Sequence, residues 1–305
     1  MNQRVWCLSA AFFLLVTGIF CDFAWAGPAS SFSFSVGSGD GAFGVLTSPE
    51  GPEAGPVALI PSGNGLVVLD GVNSRLVRID EEGKLKREIP LPMGNFKDLA
   101  RTSDGTIWVA DEKGRDVYQV AGGSVRKAFS VTTGDGFPRQ FDALTAVGDD
   151  LAIGDFASLS LYRFSHDGKL LLIASWPVSL SVVADAKGNL CCLGFSEEDV
   201  YNRFIRIDAA GKMEETRIKG EGLTGARLLG FLPDGRGVGF GISNQEPFRR
   251  ALFIIESNGT CSTIDTIDTP LLLATRSGAV EKNSVWVNAS PISGGRVLFY
   301  RYEVK

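Results

Sequence analysis

Two aspartates are the residues of this sequence whose type and position best suit chemistry. Asp98 lies in the run FKDLAR and Asp142 in QFDALT, each within a short apolar segment. The repeat described below places both segments around a central channel, with Arg276 opposite. Calcium favours carboxylate oxygens, so Asp98 and Asp142 form a candidate metal site. Because calcium usually takes about six to eight oxygen ligands, we favour an Asp142–Arg276 ion pair or simple solvation and predict no cofactor, with calcium as the alternative.

Histidine chemistry finds little support in the composition. His166 is the only histidine, and it lies in SHDGK, a pattern typical of an exposed hairpin turn. A serine triad needs its histidine within hydrogen-bond reach of the nucleophile. Glycine-rich runs such as VGSGDGAFG lack the strand-to-helix context of a phosphate-binding loop. An enzyme built on this chain would therefore rely on carboxylates and a metal ion.

Aromatic and arginine side chains are concentrated in the longer segments between apolar runs. These segments include TTGDGFPRQF, DFASLS, FSEEDVYNR and SNQEPFRR. Such side chains dominate recognition when they are buried in a contact, and loops commonly carry binding residues. The alternative is that the aromatic side chains fill small cores of their own loops. The candidate partner-binding residues are Phe137, Arg139, Phe141, Phe156, Tyr201, Phe248 and Arg249.

A repeated segment divides the chain into units. GNGLVVLDGVNSRLVRIDEEGK is followed by DGTIWVADEKGRDVYQVAGGS, GDDLAIGDFASLSLYRFSHDGK and three more divergent copies. A period of about 40–45 residues is typical of four-stranded propeller blades. The positions equivalent to Asp70 are Asp111, Asp155, Gly194, Gly241 and Ala289, which places successive units 39 to 48 residues apart.

Each unit predicts four β-strands. A further apolar run precedes each repeated segment, such as PVALIP, and another follows each of the first five, such as KREIPL. Asp-Gly and related turn sequences between the runs favour tight hairpins. The sixth unit ends after its third strand, whereas SFSFSV, residues 31–36, alternates like a strand and belongs to no unit. We therefore predict an all-β, six-bladed β-propeller closed by an N-terminal strand that completes the last blade. The alternative is a disordered leader at SFSFSV.

The segment VVLDGVNSRLVRIDEEGKL resembles the NHL-repeat family of six-bladed propellers. The resemblance extends over about residues 31–305 and rests on Asp70, Asn73 and Arg75. It implies a fold and says little about function. We expect Asp70 to accept hydrogen bonds from the loop that follows it, and Arg75 to tie neighbouring segments together. The other units match this pattern only in part, at Asp111, Asp155, Asn202 and Arg203. Blades five and six depart from it, with Gly241 and Ala289 in place of the Asp.

The first 26 residues predict a secretory signal peptide. Arg4 is followed by an apolar run over residues 8–20 and by the cleavage pattern Ala-Trp-Ala at residues 24–26. The run is shorter than the ~20 residues that span a bilayer as a helix, and a retained anchor is the alternative. We assign residues 1–26 to the signal peptide and 27–305 to the propeller. The mature protein is then expected to be secreted or periplasmic, with no membrane span.

Three cysteines lie beyond the leader. Cys191 and Cys192 are adjacent, and neighbouring residues of a strand point to opposite faces, so the two cannot easily bond to each other. Free cysteine behaves as a small hydrophobic residue, and we predict that these two and Cys261 are buried fillers. A bridge to Cys261 stays open in an oxidising compartment.

These observations favour an exported, non-catalytic binding scaffold that recognises a protein, peptide or glycan with its loop face. A formal net charge of −5 argues against a nucleic-acid partner. The alternative is a metal-dependent hydrolase or lactonase, because the fold is similar to that of gluconolactonase-like propellers. That resemblance implies a Glu, Asp and Asn set around one divalent ion. Asp98 and Asp142 could serve there, but no inner-strand Asn or Glu accompanies them. A purely structural subunit is a third possibility.

Overall fold

The structure is a computed structural model of the chain. The predicted leader, residues 1–26, lies outside the residues that it describes. Within the described ranges, no helix has the length and apolar character needed to cross a membrane. The described residues are 27–48, 51–63, 65–131, 138, 140–176, 179, 181–194, 203–219, 223–243, 249–267, 276–290 and 295–305.

The described strands, numbered in chain order, form six sheets that are the blades of the propeller and a separate two-stranded sheet of β3 and β4. The N-terminal segment contains β1 (Ser30–Val36), β2 (Ala42–Phe43), β3 (Leu46–Ser48) and β4 (Gly51–Ala54). Blade 1 contains β5 (Ala58–Pro61), β6 (Gly65–Asp70), β7 (Arg75–Asp80) and β8 (Leu85–Pro90). Blade 2 contains β9 (Phe96–Arg101), β10 (Ile107–Asp111), β11 (Asp116–Ala121) and β12 (Ser124–Ser130). Blade 3 contains β13 (Ala143–Val147), β14 (Asp150–Asp155), β15 (Ser160–Phe164) and β16 (Leu170–Ser175).

The second half of the ring repeats this arrangement. Blade 4 contains β17 (Val183–Ala184), β18 (Leu190–Gly194), β19 (Arg203–Ile207) and β20 (Met213–Arg217). Blade 5 contains β21 (Leu223–Phe231), β22 (Gly237–Ser243), β23 (Arg250–Ile255) and β24 (Cys261–Ile267). Blade 6 contains β25 (Gly278–Glu281), β26 (Ser284–Asn288) and β27 (Arg296–Glu303), to which β1 adds the outer strand. This order confirms the predicted fold class and the predicted closure.

Strand burial follows from position within a blade. The second strands β6 and β10 are buried along their whole length, because each blade packs between two neighbours. The outer strands β8 and β16 have several exposed residues and alternate in part. The hairpin turns use glycine where the backbone is left-handed, as at Gly105, with a φ of 85°, and Gly168, with a φ of 87°. The burial of the strands and the positions of the turn glycines thus agree with the strand and turn pattern predicted from the sequence.

Aromatic packing fastens the N-terminal strand. β1 pairs antiparallel with β27, with Phe32 opposite Phe299, and β2 runs parallel to β1. The rings of Phe34 and Phe43 lie 5.2 Å apart, and those of Phe43 and Phe299 lie 5.6 Å apart. Edge-to-face contacts at such distances add to the free energy gained from burial. The ring of blades is therefore closed by the two ends of the chain.

Asp70 has the scaffold role predicted for it. Its buried carboxylate accepts hydrogen bonds from Gly44 N at 3.1 Å, Asn73 Nδ2 at 2.8 Å and Arg75 Nε at 3.1 Å. Arg75 also donates to the carbonyl oxygen of Ala42. Because Ala42 and Gly44 belong to the N-terminal segment, this network ties blade 1 to the closure. The equivalent Asp155 similarly accepts bonds from the loop that follows it.

Three loops share a left-handed residue that the sequence analysis did not foresee. Ser74, Arg115 and Leu159 have φ values of 49°, 54° and 49°. Each precedes the third strand of its blade. Its carbonyl oxygen accepts a hydrogen bond of 2.8 Å from the backbone N–H of the residue directly after the fourth strand. The recurrence in blades 1, 2 and 3 shows that the strained backbone belongs to the scaffold.

The two adjacent cysteines are buried on opposite faces of β18. Cys192 packs with Trp176 between blades 3 and 4, and Cys191 packs with Leu228 between blades 4 and 5. Burial raises the pKa of each thiol to about 12, so both stay protonated at neutral pH. Cys261 is partly buried, and all three are free thiols. The prediction of buried fillers is confirmed for Cys191 and Cys192.

Candidate functional site

A buried ion pair crosses the central channel. Arg276, which precedes β25 in blade 6, donates from Nε to Asp98 Oδ1 at 3.1 Å and from Nη2 to Asp98 Oδ2 at 3.0 Å. Asp98 lies on β9 in blade 2. Blade 1 stands between blades 6 and 2 in the ring, so the contact joins two blades that are not neighbours. The same Nη2 donates to the carbonyl oxygen of Leu144 in blade 3 at 2.7 Å. One guanidinium therefore joins three blades.

The carboxylate of Asp98 has little capacity left for a metal ion. Besides the two bonds from Arg276, its Oδ1 accepts from Leu99 N and its Oδ2 from Leu144 N, each at 2.8 Å. Asp98 is 2% exposed. Two-point arginine–carboxylate contacts of this kind are strong as well as directional. The described residues also contain no group of three or more His, Cys, Asp or Glu side chains arranged to hold a metal ion.

The expectation that Arg276 pairs with Asp142 is wrong. Asp142 lies just before β13, and its Oδ2 accepts a hydrogen bond of 2.7 Å from Phe156 N in a loop of blade 3. Burial raises the pKa of the Asp142 carboxyl above its ordinary value, the Phe156 bond lowers it, and the Asp155 charge raises it further. Asp142 therefore braces a loop, while Asp98 faces the channel.

A register shift accounts for part of this difference. Asp98 pairs with Ala110, and the equivalent pairing in blade 5 joins Arg227 to Phe240. The spacing that places Asp98 at the channel in blade 2 places Leu228 at the equivalent position of blade 5, but β21 contains bulges that move the register. Burial lowers the pKa of Arg227, and the Asp98 charge raises it. The channel thus receives an arginine that a fixed spacing did not identify.

Arg250 forms a second basic position close to Arg227. It begins β23, is buried, and its guanidinium carbon lies 5.7 Å from the centre of the Phe240 ring. Burial and then the nearby Arg227 charge lower its pKa to about 10, so it stays protonated at neutral pH.

The predicted partner-binding residues lie in different environments. Phe137, Arg139, Tyr201 and Phe248 lie outside the described residues. Phe141 is 1% exposed and packs in the core between blades 2 and 3, with the Arg115 guanidinium 5.8 Å from its ring centre. Its predicted position on the surface is wrong, and the alternative of an aromatic side chain that fills a core holds for it. Arg249 is exposed, immediately before β23.

Phe156 lies on the surface, as predicted. It is 42% exposed, and Leu159 in the same loop is 46% exposed. Asp155 holds this loop, because its carboxylate accepts from Ala157 N at 2.9 Å and Ser158 Oγ at 2.7 Å. The loop joins the second and third strands of blade 3. We call the end of the propeller that carries such loops the loop face, and the opposite end the turn face.

The turn face carries a wide recess at the mouth of the channel. Its volume is about 790 Å³, and Arg276 lies at its inner end. The ion pair between Arg101 and Glu281, at 2.8 Å, spans part of its rim from blade 2 to blade 6. His166 lies away from this lining, in the exposed turn between β15 and β16 that the sequence predicted. The sequence analysis had placed candidate partner-binding residues on the loops and a candidate metal site in the channel, and had not predicted a recess on the turn face.

The comparisons with known proteins concern the fold. No family model matches the chain, and no curated protein matches it. Among solved structures it is similar to virginiamycin B lyase from Staphylococcus aureus, with 13% identity, a TM-score of 0.53 and coverage of 88% of this chain and 98% of that one. A catalytically inactive histidine-to-alanine form of that lyase with quinupristin gives 17% identity and a TM-score of 0.55, over 86% and 88%.

A structural genomics protein of unknown function from Bacteroides thetaiotaomicron is similar as well. It has 13% identity and a TM-score of 0.59, over 89% of this chain and 76% of that one. These likenesses establish the propeller fold alone. At such identities, an activity does not follow from a shared fold. The resemblance to NHL repeats stays a prediction.

Proposed function

We propose that the protein is an exported, non-catalytic binding scaffold that recognises a protein, peptide or glycan through its loop face. The observation that carries this proposal is the exposed apolar pair Phe156 and Leu159 on a loop held by Asp155. A loop that is ordered before binding loses less conformational entropy on association. An exposed aromatic side chain on such a loop is a suitable anchor for a partner.

The channel chemistry favours binding over hydrolysis. The Asp98 carboxylate is occupied by Arg276 and by two backbone amides, and Asp142 is bonded to its own loop. A metal-dependent lactonase would need oxygen ligands that converge on one ion. His166 lies in an exposed turn, whereas the similar virginiamycin B lyase is inactive as a histidine-to-alanine variant. Each feature supports a role without turnover.

Export is part of the same proposal. The positively charged start, apolar run and small-residue cleavage pattern of residues 1–26 support passage through a membrane and release of residues 27–305. The partner would then be met in the periplasm or outside the cell. N-terminal sequencing of the protein recovered from its native envelope or medium tests this part, with a start at Gly27 expected.

The binding role is tested by probing peptide and glycan arrays with residues 27–305. The variant Phe156→Ser removes the exposed aromatic side chain and should abolish most of the binding signal. Ile173→Ser is the matched control, because Ile173 is 47% exposed on the outer strand of the same blade. Equal loss in both variants, or no specific signal from the unaltered protein, would contradict the proposal. Turnover of lactones or esters by the purified protein would favour the hydrolase instead.

A further inference from the structure

The recess on the turn face has the dimensions of a small-molecule site. Its volume of about 790 Å³ falls within the ~300–1,000 Å³ typical of such pockets. The C-terminal halves of the first strands and the turns after them form most of its wall. Blade 3 contributes Ala146, blade 4 contributes Ala184, and blade 6 contributes Val280. These three side chains are partly exposed, so they present apolar surface to the recess.

The inner end of the recess presents a buried cation. The Arg276 side chain is 9% exposed. Nε and Nη2 make all of its side-chain hydrogen bonds with the described residues, and Nη1 makes none there. Because Asp98 and Leu144 fix the guanidinium from one side, its position is set before a ligand arrives. A ligand oxygen at Nη1 would receive a charge-assisted hydrogen bond.

The rim adds positive charge. Six basic and four acidic side chains line the recess, and Asp98 behind the lining balances the Arg276 charge, so one positive charge is in excess although the whole chain has a formal net charge of −5. Arg206 pairs with Asp185 at 3.2 Å, and Arg236 pairs with Asp234 at 2.7 Å. Lys187 and Lys282 are exposed at the rim and form no ion pair with described residues. A negatively charged ligand is therefore favoured over a positive one.

We propose that this recess binds a small organic carboxylate with an apolar body. The carboxylate accepts from Arg276 Nη1 at the inner end, the apolar body lies along Ala146, Ala184 and Val280, and the lysines attract the anion. The site is separate from the loop face, so it stands or fails independently of the scaffold role.

Isothermal titration calorimetry with three eight-carbon probes tests the recess. Octanoate carries the carboxylate, octanol is its neutral analogue, and octylammonium is its cationic one. We expect octanoate to bind at least tenfold more tightly than octanol, and octylammonium more weakly than both. Binding of octanoate no tighter than octanol, or no binding of any probe, would overturn the proposal.

Variants locate the site. Lys187→Glu with Lys282→Glu should weaken octanoate binding at least threefold and leave octanol binding unchanged. The control Lys113→Glu with Lys169→Glu changes the net charge equally at exposed lysines outside the lining, and should have little effect. Equal weakening by both pairs would overturn the assignment.

The inner arginine needs a variant that leaves no buried charge unpaired. Asp98→Asn combined with Arg276→Met removes both charges, and its circular dichroism shows whether the propeller is retained. In the folded double variant, octanoate should lose at least tenfold in affinity while octanol does not. If the fold is lost, Ala184→Phe, which adds a ring to the wall along which the apolar body lies, should weaken binding of both probes. Unchanged octanoate binding in either folded variant would refute the inference.

Discussion

Asp98 and Arg276 form a two-point ion pair across the channel, although 178 residues separate them in the chain. Both are almost fully buried, so water would compensate only weakly for the loss of either partner. Each is therefore retained only because the other is present. The pair links blade 2 to blade 6 in a ring whose ends are otherwise joined through β1.

Breaking this pair should destabilise the fold. Asp98→Ala leaves a buried guanidinium uncompensated, which costs about 3–5 kcal/mol of unfolding free energy. Arg276→Met should cost a similar amount, and the double variant should cost less than the sum because the two residues interact directly. Urea unfolding of the four proteins gives these values. Glu82→Ala, in an exposed pair with Lys84, is the control and should change little. Strict additivity of the two buried substitutions would contradict the direct interaction.

Calcium should leave the melting temperature unchanged. A ligand that binds only the folded state raises the temperature of unfolding. Since Asp98 is committed to Arg276 and Asp142 to Phe156 N, we expect the same value after chelation and after calcium is added back. A calcium-dependent rise that disappears in Asp98→Ala and in Asp142→Ala would instead establish the metal site and revive the lactonase alternative.

Asp142 should make stability depend on pH in an unusual direction. Burial raises its pKa, so the folded state keeps a proton that the unfolded chain has released. That stabilisation is complete below the unfolded pKa and is lost as the pH rises through the folded pKa. At pH 7 the ionised group is therefore unfavourable. Asp142→Asn should raise the melting temperature there, and its amide oxygen can still accept from Phe156 N.

The gain from Asp142→Asn should shrink as the pH approaches about 4, the ordinary range of an aspartate. Thermal unfolding of both proteins across this pH range measures it. Asp80→Asn is a control of opposite sign, because the hydrogen bond from Lys86 lowers the pKa of Asp80. A stability difference that stays constant from pH 7 to pH 4 would show that Asp142 does not titrate as described.

Closure of the ring should depend on Phe43. It is fully buried between Phe34 and Phe299, so Phe43→Ala should cost about 3–5 kcal/mol of unfolding free energy. Val36→Ala, at an exposed position of β1, should cost far less. Denaturant titration compares the two. Similar small losses would mean that β1 contributes little to the stability of the closed ring.

The architecture was open to prediction because its signals are local. A strand pattern and a tight turn recur within each unit, the first three units share an Asp equivalent to Asp70, and neighbouring residues decide their conformation. The spare strand at residues 31–36 then identified the closure. The burial of Cys191 and Cys192 followed from the alternation of side chains along one strand.

The candidate site was harder to predict from local sequence patterns. A bulge in β21 brought Arg227 to a position assigned by spacing to Leu228. Phe141 follows a loop segment, yet Arg115 and the core of blades 2 and 3 cover it. Short-range patterns contain neither effect, since each depends on contacts between blades.

The sequence by itself thus determined the repeat, the four-stranded blades and the scaffold role of Asp70, because these depend on hydrogen bonds and apolar periodicity within tens of residues. Only the tertiary structure decided that Asp98, rather than Asp142, meets Arg276, and that a basic recess opens on the turn face. Both depend on how six blades are arranged around one axis, where residues from distant units meet at distances of a few ångströms.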